Sequence, residues 1–201
     1  MDKGEQSPGF DVSALQAGDR DEFARLVDAY SGPIYRLALK MLNQVQDAED
    51  VLQETFLKAY RSLPAFENRS SLSTWLYRIA VNEALMVIRK RDPHQVSIDE
   101  PVETEEGELE PLELIDWRAL PEEELLSSEM RQVLDQAVTR LPVTLRTVFI
   151  LRDIENLSVR ETAQTLSLSE TAVKTRLLRA RLRLRELLSA YFSRRMTERK
   201  T

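Results

Sequence analysis

The side chains best equipped for chemistry are basic and lie near the C-terminus. Lys174, Arg176, Arg179 and Arg183 recur along residues 170–188, joined by Arg181 and Arg185. A guanidinium donates in a planar fork that suits phosphate oxygens and the edge of guanine, so the pattern points to nucleic-acid recognition rather than bond making. No catalytic set accompanies it. The chain has no cysteine, a single histidine (His94) and 5 glycines among its 201 residues. That removes disulfides, thiolate metal sites and cysteine nucleophiles, and it argues against a histidine-rich metal site, a catalytic triad or a phosphate-cradling glycine loop. No catalytic residue, metal ligand or cofactor is expected.

Those cations need a helix to line them up. At about 100° per residue, Val173, Leu177, Ala180, Leu184 and Leu187 share one face. Arg176, Arg179 and Arg183 fall roughly opposite, and Lys174, Arg181 and Arg185 form a second stripe beside the apolar face. The apolar face can then pack while the arginines point outward. Just upstream, Ser158-Val159-Arg160-Glu161 fits a capping box, in which serine and glutamate close each other's backbone donors. Ser167-Leu168 make the turn, and Ser169 is placed to cap the basic helix. A capped helix, a tight turn and a basic second helix form the signature of a helix-turn-helix. Cations favour helix C-termini on dipole grounds, which does not account for Lys174 and Arg176 in the first turns.

A second surface falls between residues 47 and 63. Ala48, Val51, Leu52, Thr55, Phe56 and Ala59 occupy one side of a helix and make a core face. Glu49, Asp50, Gln53 and Glu54 occupy the other, with Leu57 near its middle. A leucine ringed by carboxylates and an amide has the make-up of a small protein-docking patch. A further helix, expected over about residues 73–91, opens with Ser73-Thr74-Trp75-Leu76-Tyr77-Arg78 and closes with Arg89-Lys90-Arg91. Aromatic and cationic side chains on one span can stack on unpaired bases while neutralising the backbone.

Stepping along the chain, the charge is uneven. Residues 1–91 carry a net charge of -1, residues 92–125 of -12, and residues 126–201 of +7. Apolar residues make up 42% and charged residues 31%, a balance that fits packed helices rather than a wholly disordered chain. The expectation is an all-α protein of two small helical domains joined by an acidic flexible linker. Residues 1–18 read as an N-terminal arm turning at Gly18, 19–91 as the first helical block, 92–124 as the linker, 125–192 as the second block and 193–201 as a tail. Gly32-Pro33 is expected to interrupt or bend the first helix. The linker holds Pro93, Pro101, Pro111 and Pro121, with one short helical piece expected at about 112–117. No apolar run reaches the roughly 18–20 residues that cross a bilayer, and the first residues lack the apolar core of a signal peptide, so a cytoplasmic protein is expected.

Three segments, DAEDVLQETFLKAYRSL (47–63), SLSTWLYRIAVNEAL (71–85) and LSVRETAQTLSLSETAVKTRLLRARLRL (157–184), together closely resemble bacterial RNA polymerase sigma factors of the extracytoplasmic-function (ECF) group, within the sigma-70 family. Order and spacing match across almost the whole chain. The resemblance implies two domains, sigma regions 2 and 4. It implies that the 47–63 helix docks on the clamp helices of the polymerase largest subunit through Asp50, Gln53 and Glu54, to which the periodicity adds Leu57. It implies that residues 66–91 open and read the -10 promoter element through Leu72, Trp75, Tyr77, Arg78 and Asn82. Asn82 would read the edge of a flipped base, and Arg89, Lys90 and Arg91 supply charge nearby. The helix-turn-helix would read the -35 element through Lys174, Thr175, Arg176 and Arg179, with Arg183 on the same stripe.

The implied partners are core RNA polymerase, promoter DNA and an anti-sigma factor, without membrane insertion. Leu72 stands where many relatives have phenylalanine, Met86 where a polar residue is frequent, and Ser167 and Thr171 where glycine is common, so the exact promoter sequence does not transfer. Two rival readings are a stand-alone helix-turn-helix regulator and a non-initiating decoy that binds polymerase or an anti-sigma factor.

Overall fold

The structure, a computed structural model, describes residues 9–92 and 128–198. Among these residues it is helical throughout, with no strand. The expected linker, including its short helical piece, lies outside the described residues, as do residues 1–8.

The first block holds four helices. Asp11 starts α1 (Val12–Gln16) by accepting from the backbone N–H of Ser13 at 2.9 Å and Ala14 at 3.1 Å. Gly18, at φ +82, makes the turn. Asp19 then caps α2 (Arg20–Leu42) in the same manner. Of the two effects expected of Gly32-Pro33, interruption does not occur: Pro33 sits inside one continuous helix. Leu26, Ile34, Leu37 and Ala38 are wholly buried along its length, so tertiary packing outweighs the missing N–H donor. Asn43 ends α2 in the left-handed region, its N–H returning to the Leu39 carbonyl. α3 (Val45–Ser62) follows, then a 3-10 turn (Leu63–Ala65) around Pro64. α4 (Leu72–Arg91) begins at a Ser71 cap, whose Oγ accepts from Thr74 N–H at 3.1 Å. The α3 core face is as the spacing predicts, with Ala48, Val51, Thr55, Phe56 and Ala59 buried.

The second block runs α5 (Ser128–Thr139), α6 (Val143–Phe149), a π-helical turn (Ile150–Ile154), α7 (Val159–Leu166) and α8 (Glu170–Glu198). The predicted capping box of α7 is present on both sides: Glu161 N–H to Ser158 Oγ at 3.1 Å, and Ser158 N–H to a Glu161 carboxylate oxygen at 2.8 Å. Ser167 makes the turn with φ +55, and Ser169 Oγ accepts from Ala172 N–H at 3.1 Å. Val173, Leu177, Ala180 and Leu184 are buried, as their shared face requires. α8 continues past Leu188 to Glu198.

The two blocks pack together. α4 lies against α7, and α2 meets α5, α6 and the π-helical turn. One buried core spans both, from Leu26 and Val81 to Leu141 and Leu151.

Candidate nucleic-acid and polymerase interfaces

The outer face of α3 is open. Asp50, Gln53 and Glu54 are exposed. Leu57 is 42% exposed, and Tyr60, one helical turn on, is 45% exposed. Tyr60 stacks edge-on against Phe23 at 5.0 Å, so the apolar part of the patch is wider than one leucine. Sequence reasoning missed Tyr60, although its i+3 spacing from Leu57 was available.

Along α4 the expected -10 residues divide. Leu72 and Trp75 are half-buried at its start, and the Trp75 indole rests on Phe66 with centroids 5.0 Å apart. Asn82, Arg89 and Lys90 are exposed, as is Met86 at 41%. Arg91 is exposed but turns back to pair with Asp47 and to donate to the Gln44 side chain at 3.0 Å. Tyr77 and Arg78 face the second block instead of solvent. Tyr77 is 5% exposed. Its hydroxyl donates to Glu155 Oε2 at 3.1 Å. Arg78 donates to the carbonyl of Gln164 on α7 at 2.5 Å. The reason is positional: α7 packs on the α4 face that carries them.

Glu155, just past the π-helical turn, organises this seam. Its side chain is 3% exposed, and Oε2 also pairs with Arg36 of α2 at 3.3 Å. Burial raises its pKa above the ordinary carboxylate value, with Arg36 opposing. Burial, then the neighbouring Glu155 charge, pushes the Tyr77 phenol far above its usual value, so it stays a donor. Nearby, the Arg146 guanidinium donates to the carbonyls of Thr139, Leu141 at 2.9 Å and Met41 at 2.7 Å, and burial lowers its pKa. Sequence reasoning named neither: the partners of Glu155 and the Met41 carbonyl lie far away in the chain, and the nearer acceptors of Arg146 are main-chain oxygens that no residue type marks.

On α8, Lys174, Arg179 and Arg183 are exposed and Thr175 is half-buried. Arg183 pairs with Glu186 at 2.7 Å. Arg176 corrects the expectation of an outward arginine stripe: it is 7% exposed. At about 100° per residue it stands only about 60° from Val173, on the shoulder of the buried face. It lines a small cavity of about 40 Å³ with Leu85, Val143, Thr144, Thr147, Leu166 and Leu168, and burial lowers its pKa. Arg181 is also turned inward, held by Asp153 through two bonds of 2.8 and 2.6 Å. Among the described residues no cluster of acidic or histidine side chains could hold a metal, and no helix is long and apolar enough to cross a membrane.

Comparison with known proteins agrees with this division into blocks. Residues 26–93 match the family model of sigma-70 region 2, and residues 131–184 match that of sigma-70 region 4. The chain is 37% identical to the ECF RNA polymerase sigma factor SigW of Bacillus subtilis strain 168, over 88% of this chain and 94% of that one. It is 35% identical to the ECF RNA polymerase sigma-E factor of Haemophilus influenzae, over 85% and 89%. Among solved structures it resembles CnrH in complex with the cytosolic domain of CnrY, with TM-score 0.64, 25% identity, and 89% of this chain and 95% of that chain covered. It also resembles the sigma factor RpoE bound to the anti-sigma factor NepR from Bartonella quintana, with TM-score 0.61, 25% identity, and 84% and 98% covered. The two family regions, in order along one all-helical chain that aligns with these relatives over most of its length, make the chain a member of the ECF sigma factors of the sigma-70 family.

Proposed function

We propose that this chain, a non-enzymatic promoter-specificity subunit of RNA polymerase, engages the polymerase first and promoter DNA second. The observation that carries the order is a contrast in access. Asp50, Gln53, Glu54 and Leu57 on α3 are exposed in the packed arrangement, whereas Tyr77, Arg78 and Arg176 are turned into the seam between the blocks. The α3 face docks on the clamp helices of the largest subunit. α7 then leaves α4, which frees Tyr77 and Arg78 beside Leu72, Trp75 and Asn82 for the -10 element, with Arg89, Lys90 and Arg91 neutralising backbone charge. α8 presents Lys174, Thr175, Arg176, Arg179 and Arg183 to the -35 element. Each block alone binds DNA weakly and with strong salt dependence, and joining both through polymerase raises their effective concentration. An anti-sigma factor that grips both blocks would hold the packed state, and the work is done in the cytoplasm.

The test is transcription in vitro from a genomic fragment library, with core polymerase alone and with this protein added. Start sites that depend on the protein and share two upstream elements at fixed spacing support the reading. Binding to core without new start sites would favour the decoy. Tight operator binding by the free chain without polymerase would favour a stand-alone regulator.

A further inference from the structure

Residues 11–16 were expected to be part of a plain arm, yet they fold and dock. Leu15 is 2% exposed, and the Asp11 N–H donates to a Glu22 carboxylate oxygen at 2.8 Å, which ties α1 to the start of α2. From the last residue of α1, the Gln16 side-chain amide reaches fifty residues along the chain and donates to the Phe66 carbonyl at 2.7 Å. That carbonyl sits where the 3-10 turn gives way to extended backbone, φ -71 and ψ 114, beyond the last bond of the turn. An acceptor at such a break needs a partner from elsewhere. The residue so held is the one whose ring supports Trp75: Phe66 is 6% exposed and packs on the indole at 5.0 Å. Phe66 also opens the loop that leads into the α4 cap at Ser71.

We propose that Gln16 is a positioning residue for -10 recognition, fixing the Phe66 backbone so that the Phe66 ring sets the height and tilt of the Trp75 indole against an unpaired base. The inference rests on the assignment of Trp75 to the -10 element. Gln16 touches no DNA itself and acts through Phe66. Only a donor will serve, because the Phe66 carbonyl is an acceptor. Gln16→Glu, which keeps the shape but brings an acceptor, destroys the contact. Gln16→Lys restores a donor on a half-exposed stem.

The experiment uses holoenzyme, reconstituted from core polymerase and full-length chain, on a promoter fragment recovered from the genomic transcription assay and carrying 2-aminopurine in its -10 element. Gln16→Glu is expected to lower the yield of unstacked base roughly tenfold, the worth of one part-buried hydrogen bond replaced by two facing acceptors. Gln16→Lys is expected to recover most of it. Affinity for core polymerase and protection of the -35 element should match wild type in both variants. The proposal is overturned if Gln16→Glu opens the promoter like wild type, if Gln16→Lys behaves like Gln16→Glu, or if core binding falls in the same proportion as opening. Wild-type holoenzyme serves as the check on the parent reading: initiation with no fluorescence change at any -10 position removes the Trp75 assignment and this proposal with it. A response in wild type that Gln16→Glu leaves intact removes the proposal alone.

Discussion

The Arg146 guanidinium serves carbonyls from both halves of the molecule, Met41 near the end of α2, Thr139 at the end of α5 and Leu141 just beyond it. Replacing it with methionine keeps most of the apolar stem and strands those acceptors. Arg146→Met is expected to destabilise the chain by about 2–4 kcal/mol, read as a lower midpoint in thermal denaturation. Gly32 offers the opposite case. A Cβ added there meets only Arg36 Nη1, at 3.5 Å, an ordinary contact. Gly32→Ala, in the middle of α2, is expected to stabilise by about 0.5–1 kcal/mol and to raise the same midpoint. At this scale the sequence was legible wherever a residue's role depends on its own helix. Periodicity alone puts Leu57 and the acids around it on the open side of α3, where they lie. Arg176 is misplaced by too coarse a reading of the wheel: at about 60° from Val173 it belongs to the shoulder of the buried face and not to the side opposite it.

Among the elements, α7 depends most on its cap. It has only eight residues, too few to hold as an isolated helix, and its box supplies two backbone bonds at the N-terminus. Ser158→Ala is expected to cost about 1 kcal/mol. The readout is hydrogen exchange of the α7 amides, which should speed up selectively. The cap was legible because both partners lie within four residues. The π-helical turn at Ile150–Ile154 was not, because its supports are distant or irregular: Asp153 is held by Arg181 of α8, and Arg152 donates to the Leu157 carbonyl. α1 was missed although Asp11 is a sound cap, since five helical residues persist only through burial of Leu15 and the reach of Gln16. The expected break at Pro33 does not occur for a related reason: a single residue's preference is outweighed by the core that α2 covers.

For the molecule as a whole, the seam around Glu155 decides how readily the blocks separate. Arg36 and Lys40 on α2 and Tyr77 on α4 face its carboxyl. Its pKa is higher in the packed state than in water, so packing takes up a proton. The contribution to packing is therefore complete below the ordinary carboxylate value and is lost as pH rises through the raised one. Small-angle scattering of the free chain should show a smaller radius of gyration on acidification through that window. Glu155→Gln, neutral at every pH, should remove this component of the dependence. Glu155→Lys, which places a cation beside Arg36, should expand the chain at neutral pH and strengthen its binding to duplex DNA without polymerase.

The seam also joins its two sides by different kinds of chemistry, which bears on how the family can diversify. Arg78 bonds a main-chain oxygen, that of Gln164, and any residue at position 164 supplies one. Tyr77 bonds a side chain, and only a few residue types at position 155 can receive it. Substitution at 164 is therefore expected to leave this attachment intact, while 77 and 155 change together or not at all. Deep sampling of functional variants would reveal it as covariation confined to the second pair. If Tyr77 meets the -10 element as proposed, it would then be held by two selections at once, one from DNA and one from the carboxylate that covers it.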